Sequence, residues 1–156
     1  TLFVLSRAVV SAIPAGLLLW LLANVSFGGE SLFAHLCAYL SPLGNLLGLD
    51  GVILAAFILG FPANETVVPI MIMGYLSGGV LSDSVSLFQL KDVLVSNGWD
   101  TVTAVNTIIF FLFHWPCATT MLTIFKETKS AKWTLISFLL PTVIGALLCI
   151  LINSAF

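Results

Sequence analysis

Charge is what this chain most lacks. Asp, Glu, Lys and Arg make up 8% of its 156 residues, against 60% hydrophobic, whereas a soluble domain carries roughly a quarter charged residues. A surface so poor in charge cannot keep a chain dispersed in water, and the sequence reads as an integral membrane protein. Basic residues number five, three of them between Lys126 and Lys132. They form no phosphate-tracking face, which excludes nucleic acid as a partner. Three cysteines, Cys37, Cys117 and Cys149, leave one over from any pairing and show no CxxC spacing, so no disulfide framework is expected. The GxxxxGKS/T phosphate loop, GxGxxG, HExxH and GxSxG are all missing, and with them any motif-encoded nucleotide site, zinc protease or serine hydrolase. The chain opens at Thr1 without a methionine, which fits a piece of something longer. The apolar stretch that follows has no small-x-small cleavage site and reads as a retained helix rather than a signal peptide.

What the chain does have is a series of long apolar runs. Residues 8–25, after Arg7, match the ~20 residues that span hydrocarbon, with Trp20 placed for an interface. Residues 26–50 are mixed and predict a short interfacial helix near 31–41 followed by a loop. Residues 51–82 form an apolar block that would rise ~48 Å as one straight helix, too long for a ~30 Å core. Gly60 and Pro62 divide it, so a re-entrant hairpin with its tip at Pro62–Glu65 is expected. Residues 83–100 are the polar stretch and predict a surface loop and helix. Residues 102–125 read as a second spanning segment broken at Pro116. Residues 133–153 read as a last transmembrane helix, with Pro141 expected to kink it. The fold class is therefore all-α: polytopic membrane helices with a re-entrant hairpin and a proline-broken helix.

Charge fixes the expected orientation. Arg7 and the cluster Lys126, Lys129 and Lys132 belong on the cytoplasmic side. An even number of crossings must separate them. Segments 8–25 and 102–125 supply two, so block 51–82 contributes none or two, and its arms are too short for two. The 83–100 stretch, carrying Asp83, Asp92 and Asp100, then lies outside.

Two breaks carry the candidate chemistry. In Phe113-His114-Trp115-Pro116-Cys117-Ala118-Thr119-Thr120, proline removes a donor and frees carbonyls one turn back, which favours a cation at the negative end of the first half-helix. Cys117 falls at the start of the next half-helix, where the dipole promotes the thiolate that binds metal. His114 adds an imidazole, and thiolate with imidazole selects a first-row transition metal. Cys117 could equally be a small buried hydrophobe, and His114 could simply bond a freed carbonyl. In Gly60-Phe61-Pro62-Ala63-Asn64-Glu65, a carboxylate within the membrane needs a proton, a partner or a cation. Glu65 is alternatively a first-turn carboxylate held by the helix dipole, and Asn64 a cap of the second arm. Thr119 and Thr120 either donate to freed carbonyls or face the pathway. His35, Cys37 and Cys149 read as structural, and Glu127 as a solvated loop residue.

At these residues the chain resembles the C-terminal membrane half of the bacterial ferrous iron transport protein B family (FeoB). The matching blocks are Asp50-Gly51-Val52-Ile53-Leu54, Gly60 to Glu65, Phe113 to Thr120, and Lys126-Glu127-Thr128 with Lys132-Trp133-Thr134-Leu135. Arg7 with Ala12-Ile13-Pro14 resembles the family's entry to this half.

The resemblance implies one half of a Gate-type Fe²⁺ permease in a bacterial inner membrane, with Cys117 at the position of the family's second Gate cysteine. It also implies a GTP-binding domain and a first Gate repeat outside this sequence, and small cytoplasmic accessory proteins as further partners. On that reading the chain holds no cofactor stably, takes Fe²⁺ as cargo with Cys117, Glu65, His114 and Asn64 as pathway candidates, and by itself neither transports iron nor hydrolyses GTP. Two other functions stay open. A Gate transporter of an organic solute such as a nucleoside would use Asn64, Glu65 and Thr119 and dispense with Cys117. An intramembrane thiol enzyme would pair Cys117 with His114 as nucleophile and base.

Overall fold

The computed structural model describes residues 13, 16–18, 20–22, 24–27, 29–76 and 87–156. Half of the 8–25 segment, and residues 77–86 of the expected hairpin's second arm and surface stretch, lie outside the described residues. Every described position from 13 to 24 is helical, and this helix is α1. A two-residue antiparallel pair, β1 (Ser26–Phe27) with β2 (Glu30–Ser31), turns the chain into α2 (Leu32–Leu46). Then follow α3 (Gly51–Leu59), a 3₁₀ turn (Asn64–Thr66), α4 (Val67–Tyr75), α5 (Leu87–Ser96), α6 (Thr101–Phe113), α7 (Ala118–Thr128) and α8 (Ala131–Ala155). The protein is an all-α membrane protein. Thr101–Thr128 and Ala131–Ala155 are each long and apolar enough to cross a bilayer.

Caps set where these helices begin. Ser31 accepts from the N–H of Ala34 at 3.2 Å, Asp50 from Ile53 at 2.7 Å, and Asp100 from Thr103 at 2.7 Å. The Thr103 N–H also holds the Asp100 carboxyl below its ordinary range. Helix α2 continues past Pro42 instead of stopping near residue 41. Its contact with α3 explains this. Gly44 lies against the backbone of Asp50, and Gly51 against the carbonyl of Cys37. Two glycines thus bring the backbones together and hold α2 in line where proline weakens it. The helix ends at Gly48, whose φ of 65° is open to glycine at little cost. From there α3 departs, bent by 108° from α2. Pro141 likewise leaves α8 unbroken, and the Thr142 hydroxyl donates to the Phe138 carbonyl beside it at 2.7 Å.

The core centres on α3. Ile53, Ala55, Ala56 and Phe57 are fully buried, and Val67 and Ile70 of α4 close over them. The two helices lie antiparallel, because Tyr75 at the end of α4 donates its hydroxyl hydrogen to Asp50 at the start of α3. Trp99 Nε1 in turn donates to the Tyr75 oxygen at 2.8 Å. The far rims of α6 and α8 expose Ile108, Leu112, Leu140, Leu147 and Leu151, the surface expected against lipid.

Candidate functional site

The break in the long span is built by Pro116. Its ring disfavours helical backbone at Trp115, and residues 114–117 leave the helix. The His114 N–H still donates to Phe110 O at 2.7 Å and closes α6. The His114 Nδ1 lies 2.8 Å from Phe111 O. A carbonyl only accepts, so in the neutral ring Nδ1 carries the hydrogen and Nε2 presents its lone pair. Nε2 is buried without a hydrogen-bond partner among the described residues. The imidazole sits among the rings of Phe57, Phe111 and Trp115, at centroid distances of 5.0, 5.5 and 6.0 Å.

Cys117 is the N-cap residue of α7, one position before the first turn, and it is half-buried. Its Sγ lies 3.1 Å from Thr119 Oγ1 and 3.1 Å from Thr120 Oγ1. Two hydroxyls directed at one sulfur stabilise it as an anion when they donate. Thr119 and Thr120 therefore serve the thiol and not the freed carbonyls. Cys117 and His114 share no hydrogen bond, so the contact that a nucleophile–base pair needs is not formed.

The second break meets the first. Helix α3 closes at Gly60, where a Cβ would overlap Val67, so α4 can return at close quarters. Thr66 Oγ1 donates to Ala63 O at 2.7 Å and braces the turn. The Phe61 carbonyl then accepts from the N–H of Ala118 at 2.9 Å. One hydrogen bond thus docks the hairpin tip onto the first residue of α7, next to Cys117. Helix α8 brackets both breaks: Phe138 stacks on Trp115 at 5.8 Å and 15°, and meets Phe61 edge-on at 6.3 Å. Glu65 is exposed beside this junction. Asn64 opens the 3₁₀ turn but caps nothing, because α4 starts only at Val67; its Oδ1 is buried without a partner among the described residues.

The two breaks therefore come together, whereas the other thiols stay apart. Cys37 is buried in α2, and Cys149 is fully buried in α8, with its Sγ 3.5 Å from Asn106 O. His35 is exposed, with Nδ1 at 3.1 Å from Ser31 O. Among the described residues no three His, Cys, Asp or Glu side chains are grouped to hold a metal ion. Two polar features escaped the sequence reading. One is the Asp50–Tyr75–Trp99 chain at the hairpin base. The other is Asn106, fully buried, which donates to Leu47 O at 3.0 Å and Cys149 O at 3.4 Å. Asn106 was visible as a lone amide in an apolar run, and Asp50 as a cap before Gly51-Val52-Ile53.

Residues 5–131 match the family model Gate, described as nucleoside recognition. The chain is similar to the Fe(2+) transporter FeoB of Leptospira interrogans serogroup Icterohaemorrhagiae serovar copenhageni (strain Fiocruz L1-130), and to that of serovar Lai (strain 56601). Each is 30% identical over 120 residues, covering 74% of this chain and 17% of the relative. The chain thus spans about a sixth of the length of these relatives. No solved structure matches it.

Proposed function

Because the chain belongs to the Gate family and is a Gate domain of the FeoB kind, we propose that it supplies part of the membrane pathway of a ferrous iron permease in a bacterial inner membrane. The observation that supports this is the Ala118–Phe61 hydrogen bond, which joins the tip of the hairpin to the residue after Cys117 and so brings the two interrupted helices together. Cys117 is the transient thiolate ligand, stabilised by the hydroxyls of Thr119 and Thr120. Glu65 offers an exposed carboxylate on the opposing tip. His114 Nε2 and Asn64 Oδ1 are further donors that the fold leaves uncommitted. Thiolate and imidazole favour Fe²⁺ over sodium, magnesium or calcium. Helices α3 and α4 enter and leave the bilayer on one side as a re-entrant hairpin. The GTP-binding domain, the first Gate repeat and the accessory proteins of such a permease complete the transporter, and GTP acts through the first of these.

The test is Fe²⁺ uptake by the full-length parent in cells lacking other iron importers, at matched membrane abundance. Cys117→Ser should lower uptake about tenfold or more, the scale at which lost metal partners act, while Cys149→Ser leaves it intact. Equal uptake in both removes the thiolate from the pathway. The family's description also motivates a second reading, transport of an organic solute such as a nucleoside. That reading predicts solute uptake sensitive to Asn64→Ala and Thr119→Ala, indifferent to Cys117→Ser and blind to Fe²⁺.

A further inference from the structure

Two adjoining cavities flank the start of α6, away from the junction at Cys117. The deeper one, about 370 Å³, is apolar and runs between α4, α5 and α6, with Met71, Ile72, Thr107, Ile108, Phe111 and Leu112 among its walls. The outer one, about 510 Å³, is bordered by Lys91, Val95, Asp100 and Thr101. Both share Leu90, Leu94, Trp99 and Ala104, so they form one groove with an apolar floor and a charged mouth. Each is of the size that takes a small-molecule ligand.

We propose that this groove binds one phospholipid bearing a phosphoethanolamine headgroup, with an acyl chain in the apolar part and the headgroup at the mouth. The charges decide the class of ligand. Lys91 and Asp100 line the same mouth, and both are exposed. Asp100 accepts the Thr103 N–H on Oδ1 to cap α6, and its carboxylate stays exposed at the rim. A cation and an anion at one rim complement a phosphate and a primary ammonium on one headgroup. An anionic headgroup would satisfy Lys91 but oppose Asp100, and a choline would offer Asp100 no N–H. The indole of Trp99 lies at the boundary between the two parts, the level at which tryptophan sits in bilayers. The deeper part is walled almost wholly by apolar side chains, so an acyl chain is its natural filling.

The full-length parent should be placed in nanodiscs of equal parts phosphatidylethanolamine, phosphatidylglycerol and phosphatidylcholine, and its retained lipids weighed by native mass spectrometry. Phosphatidylethanolamine should be retained about two- to five-fold over either competitor, the discrimination one exposed charge pair supports. Asp100→Asn keeps the α6 cap, since asparagine caps as well as aspartate, and should erase the preference over phosphatidylglycerol. Lys91→Gln should lower retention of all three lipids, and Ala104→Trp should abolish it by filling the shared wall. A wild type without preference, or variants that keep the wild-type pattern, would overturn the proposal. So would shielding of Ala104→Cys from a lipid-soluble maleimide in the delipidated parent, because the rest of the chain would then fill the groove.

Discussion

At the scale of single residues, the α2–α3 contact sets the tightest constraint. A Cβ on Gly51 would overlap the Cys37 carbonyl oxygen and lie 2.7 Å from Ser41 Oγ. The obstacle is backbone, which cannot rotate aside as a side chain can. Gly51→Ala should therefore destabilise by about 1–3 kcal/mol or more, the cost of overpacking. Gly16→Ala, whose added methyl meets nothing within 4 Å among the described residues, should not. Thermal unfolding of the detergent-purified parent reads the difference, and an unchanged midpoint for Gly51→Ala would mean that α2 and α3 pack more loosely than described. Residues of this kind mark the limit of what could be read in advance. Pro116 beside Cys117 is legible because break and thiol are neighbours in sequence. The glycine at 51 announces a helix start, but its conflict with a carbonyl fourteen positions back appears only once the helices are folded. Asn106 is the same case over a longer interval, since its partners Leu47 and Cys149 lie far away in the chain.

At the scale of elements, α3 is bound to the broken span through one face. Phe57 is fully buried and meets Phe110 edge-on at 4.9 Å and Phe111 at 5.5 Å. Its neighbour Ile58, about 100° further round the same helix, is 42% exposed. In lipid the packing of such rings, and not expulsion of water, holds helices together. Phe57→Ala should cost about 3–5 kcal/mol, as large aromatic truncations do, and Ile58→Ala distinctly less. The melting midpoint should fall in that order, with Phe57→Leu in between. Equal losses at 57 and 58 would place the seam elsewhere. Length and proline position gave the two broken elements directly from the sequence. Their meeting was not legible, because it rests on a backbone hydrogen bond from Ala118 to Phe61 that no side chain advertises.

At the scale of the whole molecule, hydrogen bonds between distant segments show which ends lie together. Asn106, near the start of α6, donates to Leu47 O, and Asn153, near the end of α8, donates to Asn45 O at 3.2 Å. The α2–α3 corner therefore sits with the Thr101 end of one span and the Ala155 end of the other. Lys126, Lys129 and Lys132 lie at the opposite end, where Lys129, in a left-handed conformation with φ 49°, turns α7 into α8. Helix α8 has 25 residues and rises ~38 Å, enough to separate the two ends by a full bilayer. Helices α3 and α4 have 9 residues each, ~14 Å, which carries the tip to Ala118 near the middle of the span and back to Asp50. With lysines retained in the cytoplasm, the corner is expected to face outward. Asn45 and Asn97 are both exposed. In a parent without native cysteines, Asn45→Cys and Asn97→Cys should react with an impermeant maleimide in intact cells. Lys129→Cys should react only after the membrane is opened. Labelling of Asn45→Cys and Asn97→Cys from opposite sides would make the hairpin a crossing pair and move the junction at Cys117 off the midplane.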